Sequence, residues 1–454
     1  MLRIDYPEVN DLTLYDIMLP EEATQLIPEL AKVDEILRDE SFEQPFIEKF
    51  NKTIGRGTIP VRVFIRMMFL KHRYEWGYDA LERNIDQNTM LKKFCRIPSG
   101  TKVPDSTTLV KLNKKYTSAV VAELNVKLVE ILAKKNVIRG KSMRLDTTVV
   151  KANIHYPTDA GLLTDCAKAI SRAVKKIGNI SNDAVRHFRS KSRTIKEKSQ
   201  KITKVLRRRS GEKVKEVRAI TAEIVSTVEK LQKSAASVLK KAKADTRKKV
   251  SDLSDKLRET LEITGKVISQ TKKVLSGNTH IKGRIVSIHD TGASVIKKGK
   301  LGVKAEFGYK IQLEECENGI ITGYQVYEGN PNDEELIVDA VDHHKKLFNR
   351  VPNTISGDRG YYSGANEEYL KGEGIKNIII PKRGKKSKER AKYEKSTTFR
   401  RHYRWRAGIE GRISYVKRKY GLDISLMKGK TGIEIWSGWG FLAHNLDKAA
   451  LCTK

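Results

Sequence analysis

Between Pro60 and Asp79 (PVRVFIRMMFLKHRYEWGYD) apolar residues recur every three or four positions, with Arg and Lys on the other side, so the spacing predicts an amphipathic helix. Asp79, Leu81, Ile85, Met90 and Phe94 carry the same period into a second helix, and Asp105-Ser106-Thr107 supplies a cap for a third. Gly55-Arg56-Gly57 reads as a loop before the first. Residues 1–138 are therefore expected to be a helical domain. Short helices with basic faces suit a helix-turn-helix-like DNA binder, and equally a packing or dimerisation domain.

At Lys141–Ile154 (KSMRLDTTVVKANI) the pattern changes to β-branched residues at strand spacing, with Asp146 set among Met143, Leu145, Val149 and Val150. It changes again over 162–276, where Lys and Arg are dense and no proline interrupts the chain between Pro157 and Pro331. Val217, Ile220, Ile224, Val228 and Leu231, then Val250, Leu253, Leu257 and Leu261, recur at spacings of three and four. This predicts a basic antiparallel helical hairpin or coiled coil, interrupted at Arg209-Ser210-Gly211-Glu212. Its exposed Ser171, Lys175, Lys176, Lys240 and Lys241 suit either a solvated surface or contact with a DNA backbone.

Strand character returns at Arg284–His289, Ala305–Glu314 and Ile320–Tyr327, the last two as a hairpin around Glu315–Gly319. A helix at Asp333–Leu347, a strand at Asn353–Gly357, a helix at Asn366–Lys371, a strand at Asn377–Pro381 and a final helix complete the series. The order predicts an α/β fold with a mixed sheet over 139–161 and 277–454, the coil of 162–276 being inserted between its first and second strands.

Charge narrows the partner. The chain of 454 residues has 89 Lys and Arg against 55 Asp and Glu, a net charge of +34. Such an excess seeks a polyanion, a nucleic acid or an anionic membrane. No apolar run of about 18 residues and no lipidation motif is present, and the acidic start MLRIDYPEVND is no signal or transit peptide. Nucleic acid is the favoured partner, with no membrane. Cys95, Cys166, Cys316 and Cys452 lie far apart, which excludes CxxC-type zinc sites and fits a reducing cytoplasm. His343-His344 is a poor metal pair, since neighbours on a helix point to different sides.

Three carboxylates carry the candidate chemistry. Asp146 lies on the first strand, Asp358 follows the strand ending Thr354-Ile355-Ser356-Gly357, and Glu410 belongs to the late segment RHYRWRAGIEGRISYVKRK. In that segment Tyr403, Arg406, Glu410 and Lys417 fall within an arc of roughly 60° if it is helical. Each acid also has an ordinary role open to it. Asp146 can accept backbone hydrogen bonds at a strand end, Asp358 can cap the next segment, and Glu410 can pair with Arg406 at i,i+4. Side by side, three acids repel strongly unless cations neutralise them. Oxygen-only ligands favour Mg²⁺ or Mn²⁺, and two such ions roughly 3.5–4 Å apart stabilise both oxygens of an in-line phosphoryl displacement. Arg359, Lys310, Arg406 and Lys417 would then hold DNA phosphates.

At these residues the chain resembles bacterial insertion-sequence transposases of the DDE class, marked by a Tyr-x2-Arg-x3-Glu-x6-Lys signature that Tyr403, Arg406, Glu410 and Lys417 match at every spacing. Asp146-Thr147-Thr148-Val149-Val150, running on to His155-Tyr156-Pro157-Thr158-Asp159, resembles the first acidic motif, and Gly357-Asp358-Arg359-Gly360-Tyr361 the second. Phe307-Gly308-Tyr309-Lys310 and Ala443-His444-Asn445-Leu446 are also similar. The likeness covers about 50–160 and 280–450. It implies an RNase H-like catalytic domain in which Asp146, Asp358 and Glu410 bind two Mg²⁺, with Mn²⁺ able to substitute. Arg406 and Lys417 would touch DNA phosphate and Tyr403 would position the strand. The implied reaction cuts double-stranded DNA at terminal inverted repeats and joins the freed 3′-hydroxyl to target DNA. The implied enzyme is a homodimer in a synaptic complex, in the bacterial cytoplasm at the nucleoid. The basic coil departs from the pattern. The competing readings are an RNase H-like nuclease or resolvase that cuts without joining, and a DNA-binding protein that has lost catalysis.

Overall fold

The computed structural model describes residues 1–7, 17–18, 20, 25–51, 53, 55, 57–207, 212–242, 247–300 and 303–452. Arg56 of the expected first loop, and Arg209-Ser210-Gly211 of the expected break in the coil, lie outside them. Two compact units emerge: Met1–Asn153 with Tyr309–Lys454, and Ile154–Gly308. Among the described residues no helix is long and apolar enough to cross a membrane.

The first unit begins with helices α1 (Pro28–Ile36), α2 (Gln44–Ile47), α3 (Val61–Arg73), α4 (Tyr78–Asp86), α5 (Thr89–Phe94), α6 (Ser106–Lys115) and α7 (Thr117–Lys134). Where the sequence suggested one helix to Asp79, α3 stops at Arg73, because Glu75 takes a positive φ of 54° and redirects the chain. The cap at Asp105 forms as expected, its carboxylate accepting the Thr108 amide at 2.9 Å and holding the start of α6. After α7 comes β1 (Ser142–Ala152), whose Met143 and Leu145 enter the core while Arg144 and Asp146 take the other face.

The second unit contains α8 (Asp159–Gly178), α9 (Asn182–Val185), α10 (Ser192–Leu206), α11 (Lys213–Ala242) and α12 (Lys248–Leu275). α11 and α12 are the expected antiparallel pair: Lys272 meets Glu229 at 2.5 Å and Gln232 donates to the Leu261 carbonyl at 2.8 Å. α8 and α10 join them around one apolar core that includes Ile170, Ile195, Ile224, Val228, Leu257 and Val267. The two extra helices arise because the expected hairpin leaves an apolar stripe on α8 and α10 that must also be buried. Arg284–His289, expected as a strand, is irregular. The Gln270 side chain takes both backbone groups of Ile285, each at 3.0 Å, so that a strand partner is not needed there. The strand comes later, as β2 (Ser294–Lys300), antiparallel to the first half of β3 (Val303–Glu315).

From Tyr309 on, β3 belongs to the first unit and to its sheet. There follow β4 (Ile321–Tyr327), α13 (Ile337–Phe348), β5 (Thr354–Ser356), α14 (Gly364–Gly372), β6 (Asn377–Ile379), α15 (Lys388–Lys395), α16 (Thr397–Lys419), the two-residue β7 (Ile424–Ser425) and α17 (Gly429–Cys452). The strands run β4-β3-β1-β5-β6 in space, with β3 and β4 antiparallel and β1, β5 and β6 parallel. Counted along the core strands this is the order 3-2-1-4-5, the mixed α/β sheet of an RNase H-like fold. α16 lies against β1, and α17 packs on α7, α3 and α1. Asn445 on α17 bonds both the amide and the carbonyl of Ile321, at 2.9 and 2.7 Å, and His444 faces the Gly319 carbonyl at 3.1 Å. The Ala443–Leu446 motif thus serves to pin the start of β4.

Candidate active site

Register explains how two acids distant in sequence meet. In the parallel pair β1/β5, Met143 is opposite Ile355 and Arg144 opposite Ser356. Two residues beyond that last pair stand Asp146, still on β1, and Asp358, just past the carboxyl end of β5. Gly357 and Asp358 leave the strand here, and the Asp358 carboxylate accepts the Gly360 amide at 2.7 Å as the cap of a short turn.

α16 brings in the third acid. All four residues of its polar face lie within this one helix, as the spacing predicted. Arg406 is buried and bridges two carboxylates, donating to Asp146 Oδ2 at 3.2 Å and to Glu410 Oε1 at 2.9 Å. The Glu410 side chain is 66% exposed, whereas that of Asp146 is 14% exposed. Burial pushes the Asp146 carboxyl up to about 6; the Arg406 charge and the Thr147 amide pull against that, and Asp358 and Glu410 add to it. The three acids therefore share one field, and the ordinary roles open to each are also filled: a strand amide, a cap and an ion pair.

The other cationic candidates are placed differently. Lys417 donates to the Val149 carbonyl at 2.6 Å, on the strand that carries Asp146. Lys310 is buried, meeting Asp333 at 2.6 Å and the Pro331 carbonyl at 2.7 Å. Arg359 is exposed, and Tyr403, also exposed, stacks on Phe399 with ring centres 6.0 Å apart.

Asp333, expected only as the start of a helix, is a fourth acid here. Its Oδ1 accepts the hydroxyl of Thr147, next to Asp146, at 3.1 Å as well as the Lys310 ammonium. A β-carbon at Gly360 would lie 2.6 Å from Asp333 Oδ2 and 2.7 Å from Asp358 Oδ1. Only glycine lets both carboxylates close over that turn. Beneath them Tyr361 is fully buried, its phenol held well above its ordinary range by burial and then by the charges of Asp333, Asp146 and Asp358. The sequence signal for Asp333 was available in kind, an acid just after Gly329-Asn330-Pro331-Asn332, but nothing local distinguishes it from an N-terminal helix acid.

Whether these donors suit a metal divides into kind and geometry. In kind they are hard carboxylate oxygens, and a cation would offset the cost of ionising buried Asp146. In geometry, no three His, Cys, Asp or Glu side chains among the described residues converge closely enough to hold an ion. Arg406 accounts for this, since its guanidinium takes the place between Asp146 and Glu410. The donor set therefore suits a divalent cation in the kind of its atoms, with Arg406 standing between Asp146 and Glu410.

Arg144 fixes the framework. It is buried on β1, donates to the Trp405 carbonyl on α16 and pairs with the fully buried Glu315 of β3, to which Arg412 of α16 also comes at 3.5 Å. β1, β3 and α16 are thereby tied together two residues from Asp146.

Two family models match the chain. One is described as a transposase DDE domain and covers 281–446, a stretch that holds Asp358 and Glu410 but begins after Asp146. The other is described as a transposase domain (DUF772) and covers 17–115. No curated protein and no solved structure gives a significant match. With a DDE domain behind a second transposase domain, on an RNase H-like sheet, the chain belongs to the insertion-sequence DDE transposases.

Proposed function

We propose that this transposase cuts DNA at the terminal inverted repeats of its element and joins the freed ends to target DNA, with Asp146, Asp358 and Glu410 as its catalytic acids. The observation that carries the reading is the meeting of these three residues, from β1, the end of β5 and α16, in one electrostatic field around Arg406. DDE transposases generally use divalent metal ions. Two Mg²⁺ held by the three carboxylates would supply Lewis-acid stabilisation of the attacking and leaving oxygens, and Mn²⁺ would substitute.

The chain's own residues have the remaining work. Asp146 on β1 and Asp358 just past the end of the neighbouring β5 fix one side of the site, and Glu410 approaches from the helix. Arg406, released from the acids, turns to a DNA phosphate, and exposed Arg359 and Tyr403 position the strand. Lys417 holds the β1 edge beside it. Lys310 acts from beneath, steadying Asp333. In the first step a water oxygen bonds to phosphorus, the bond to the 3′-oxygen breaks, and a 3′-hydroxyl is left. In the second, that 3′-oxygen attacks a target phosphodiester, expelling the target's own 3′-oxygen. Both are phosphoryl transfers to oxygen, with no covalent link to protein. Two chains acting as a homodimer would hold the two ends.

The test uses the DNA that flanks the reading frame as substrate. Asp146→Asn and Glu410→Gln are each expected to abolish Mg²⁺-dependent cleavage while leaving end binding within about threefold of wild type. Cleavage at the wild-type rate by either variant removes the assignment.

A further inference from the structure

Lys71 is a buried cation to which the catalytic reading gives no task. It sits in the last turn of α3, 3% exposed, with its ammonium 4.2 Å from the ring centre of Trp436 and 5.0 Å from that of Tyr78. Among the described residues no carboxylate stands within ion-pair distance of it. Burial alone draws its ammonium down to about 8, with no acid opposing the effect. The aromatic faces offset part of the desolvation, but a buried ammonium without a counter-charge is costly and is seldom kept for packing alone. Methionine would fill the same volume without that cost.

The side chain borders a cavity of about 300 Å³, walled also by Trp76, Lys417, Tyr420, Leu426 and Trp436. Two acids share its border. Glu75 is exposed, and Asp423 is half-exposed and paired with Lys151 at 3.0 Å, so neither neutralises Lys71. Lys417 connects the cavity to the catalytic strand through the Val149 carbonyl, three residues beyond Asp146. Two ammonium groups with indole and aliphatic walls are the elements that bind nucleic acid strands: cation for phosphate, flat apolar face for base. The cavity is far too small for a base pair and is of a size for one nucleotide.

We propose that this cavity takes a single nucleotide of the bound DNA, its phosphate held by Lys71 beside Lys417 and its base laid against Trp76 and Leu426. The assignment deepens the DNA-transposase reading and rests on it. Because the phosphate could also come from solution, the shared chemistry is a phosphate monoanion or diester next to an apolar wall.

The experiment measures fluorescence anisotropy of a labelled 30-bp duplex, blunt or with a four-nucleotide 3′ overhang, across a salt series. The proteins are the full chain, Lys71→Met and Trp76→Ala. Lys71→Met should melt at or above the wild-type temperature yet bind the overhang duplex at least fivefold more weakly, with the salt slope reduced by about 0.7, one single-strand phosphate contact. Blunt duplex should be unaffected. Trp76→Ala should lose overhang affinity without a change in slope, and it tests the pocket if Lys71→Met fails to fold. Identical binding of both duplexes by wild type and the two variants overturns the pocket while leaving the DNA reading intact. Failure of wild type to bind either duplex overturns both. Tryptophan fluorescence that responds to inorganic phosphate, with no effect of Lys71→Met on DNA, assigns the site to a free ion and overturns the proposal as well.

Discussion

Replacing Asp146 by Asn removes a carboxyl that the fold ionises at a cost, and the cost has a definite pH signature. Burial raises this carboxyl from 3.8 to about 6. At about 1.4 kcal/mol per unit the full penalty is about 3 kcal/mol in metal-free protein. The sign follows from which state holds the proton longer. The folded carboxyl keeps its proton to higher pH than the unfolded one, so stability is greatest below pH 3.8. It falls as pH rises towards 6 and is level above that. Roughly 1.4 kcal/mol of the fall lies between pH 5 and 8. Asn cannot ionise, so the variant lacks this component, and the loss of the Arg406 contact adds only an offset that does not vary with pH. The assay is urea unfolding of both proteins in EDTA at pH 5, 6, 7 and 8. The stability of wild type relative to Asp146→Asn should drop by about 1.4 kcal/mol from pH 5 to pH 8, most of it before pH 7. Parallel curves, or a difference that grows in favour of wild type, would refute the claim that Asp146 is ionised against its surroundings.

Other perturbations probe the frame around the acids. Arg144→Met leaves Glu315 buried with only Arg412 nearby, so it should cost about 3 kcal/mol in denaturant unfolding, and Arg144→Met with Glu315→Leu should recover most of it; a single-variant cost below about 1 kcal/mol contradicts the pairing. Gly360→Ala forces Asp333 and Asp358 apart, and cleavage should fall at least tenfold with DNA binding unchanged; wild-type cleavage rates would show that their close approach is immaterial. Replacing the exposed Lys175, Lys176, Lys240 and Lys241 by Gln should flatten the salt dependence of DNA binding, and an unaltered slope in a titration would make the helical unit a protein-contact device.

Much of the candidate site's placement was legible because its signals are local. Alternation around Asp146 marked β1, the strand-to-turn step marked Asp358, and helical spacing alone placed Tyr403, Arg406, Glu410 and Lys417 on one face. What local patterns omit is pairing. The approach of Asp146 to Asp358 depends on β1 pairing with β5, which no short window encodes. Asp333 was hidden for the same reason, since its partners Thr147, Lys310 and Gly360 come from three other segments. Arg284–His289 looked like a strand because its alternation is real, yet Gln270 satisfies the backbone of Ile285 instead. In the basic insert, the period showed helices but not that α8 and α10 would complete the core of α11 and α12.

If the three acids are catalytic, joining must depend on them as much as cutting does. The direct measurement supplies a pre-cut end bearing a free 3′-hydroxyl, together with supercoiled plasmid, Mg²⁺ and either wild type or Asp358→Asn. Wild type should yield plasmid joined covalently to the end and free of attached protein, and Asp358→Asn should yield none. Plasmid nicking by wild type without joined product would contradict the account and leave a nuclease in its place.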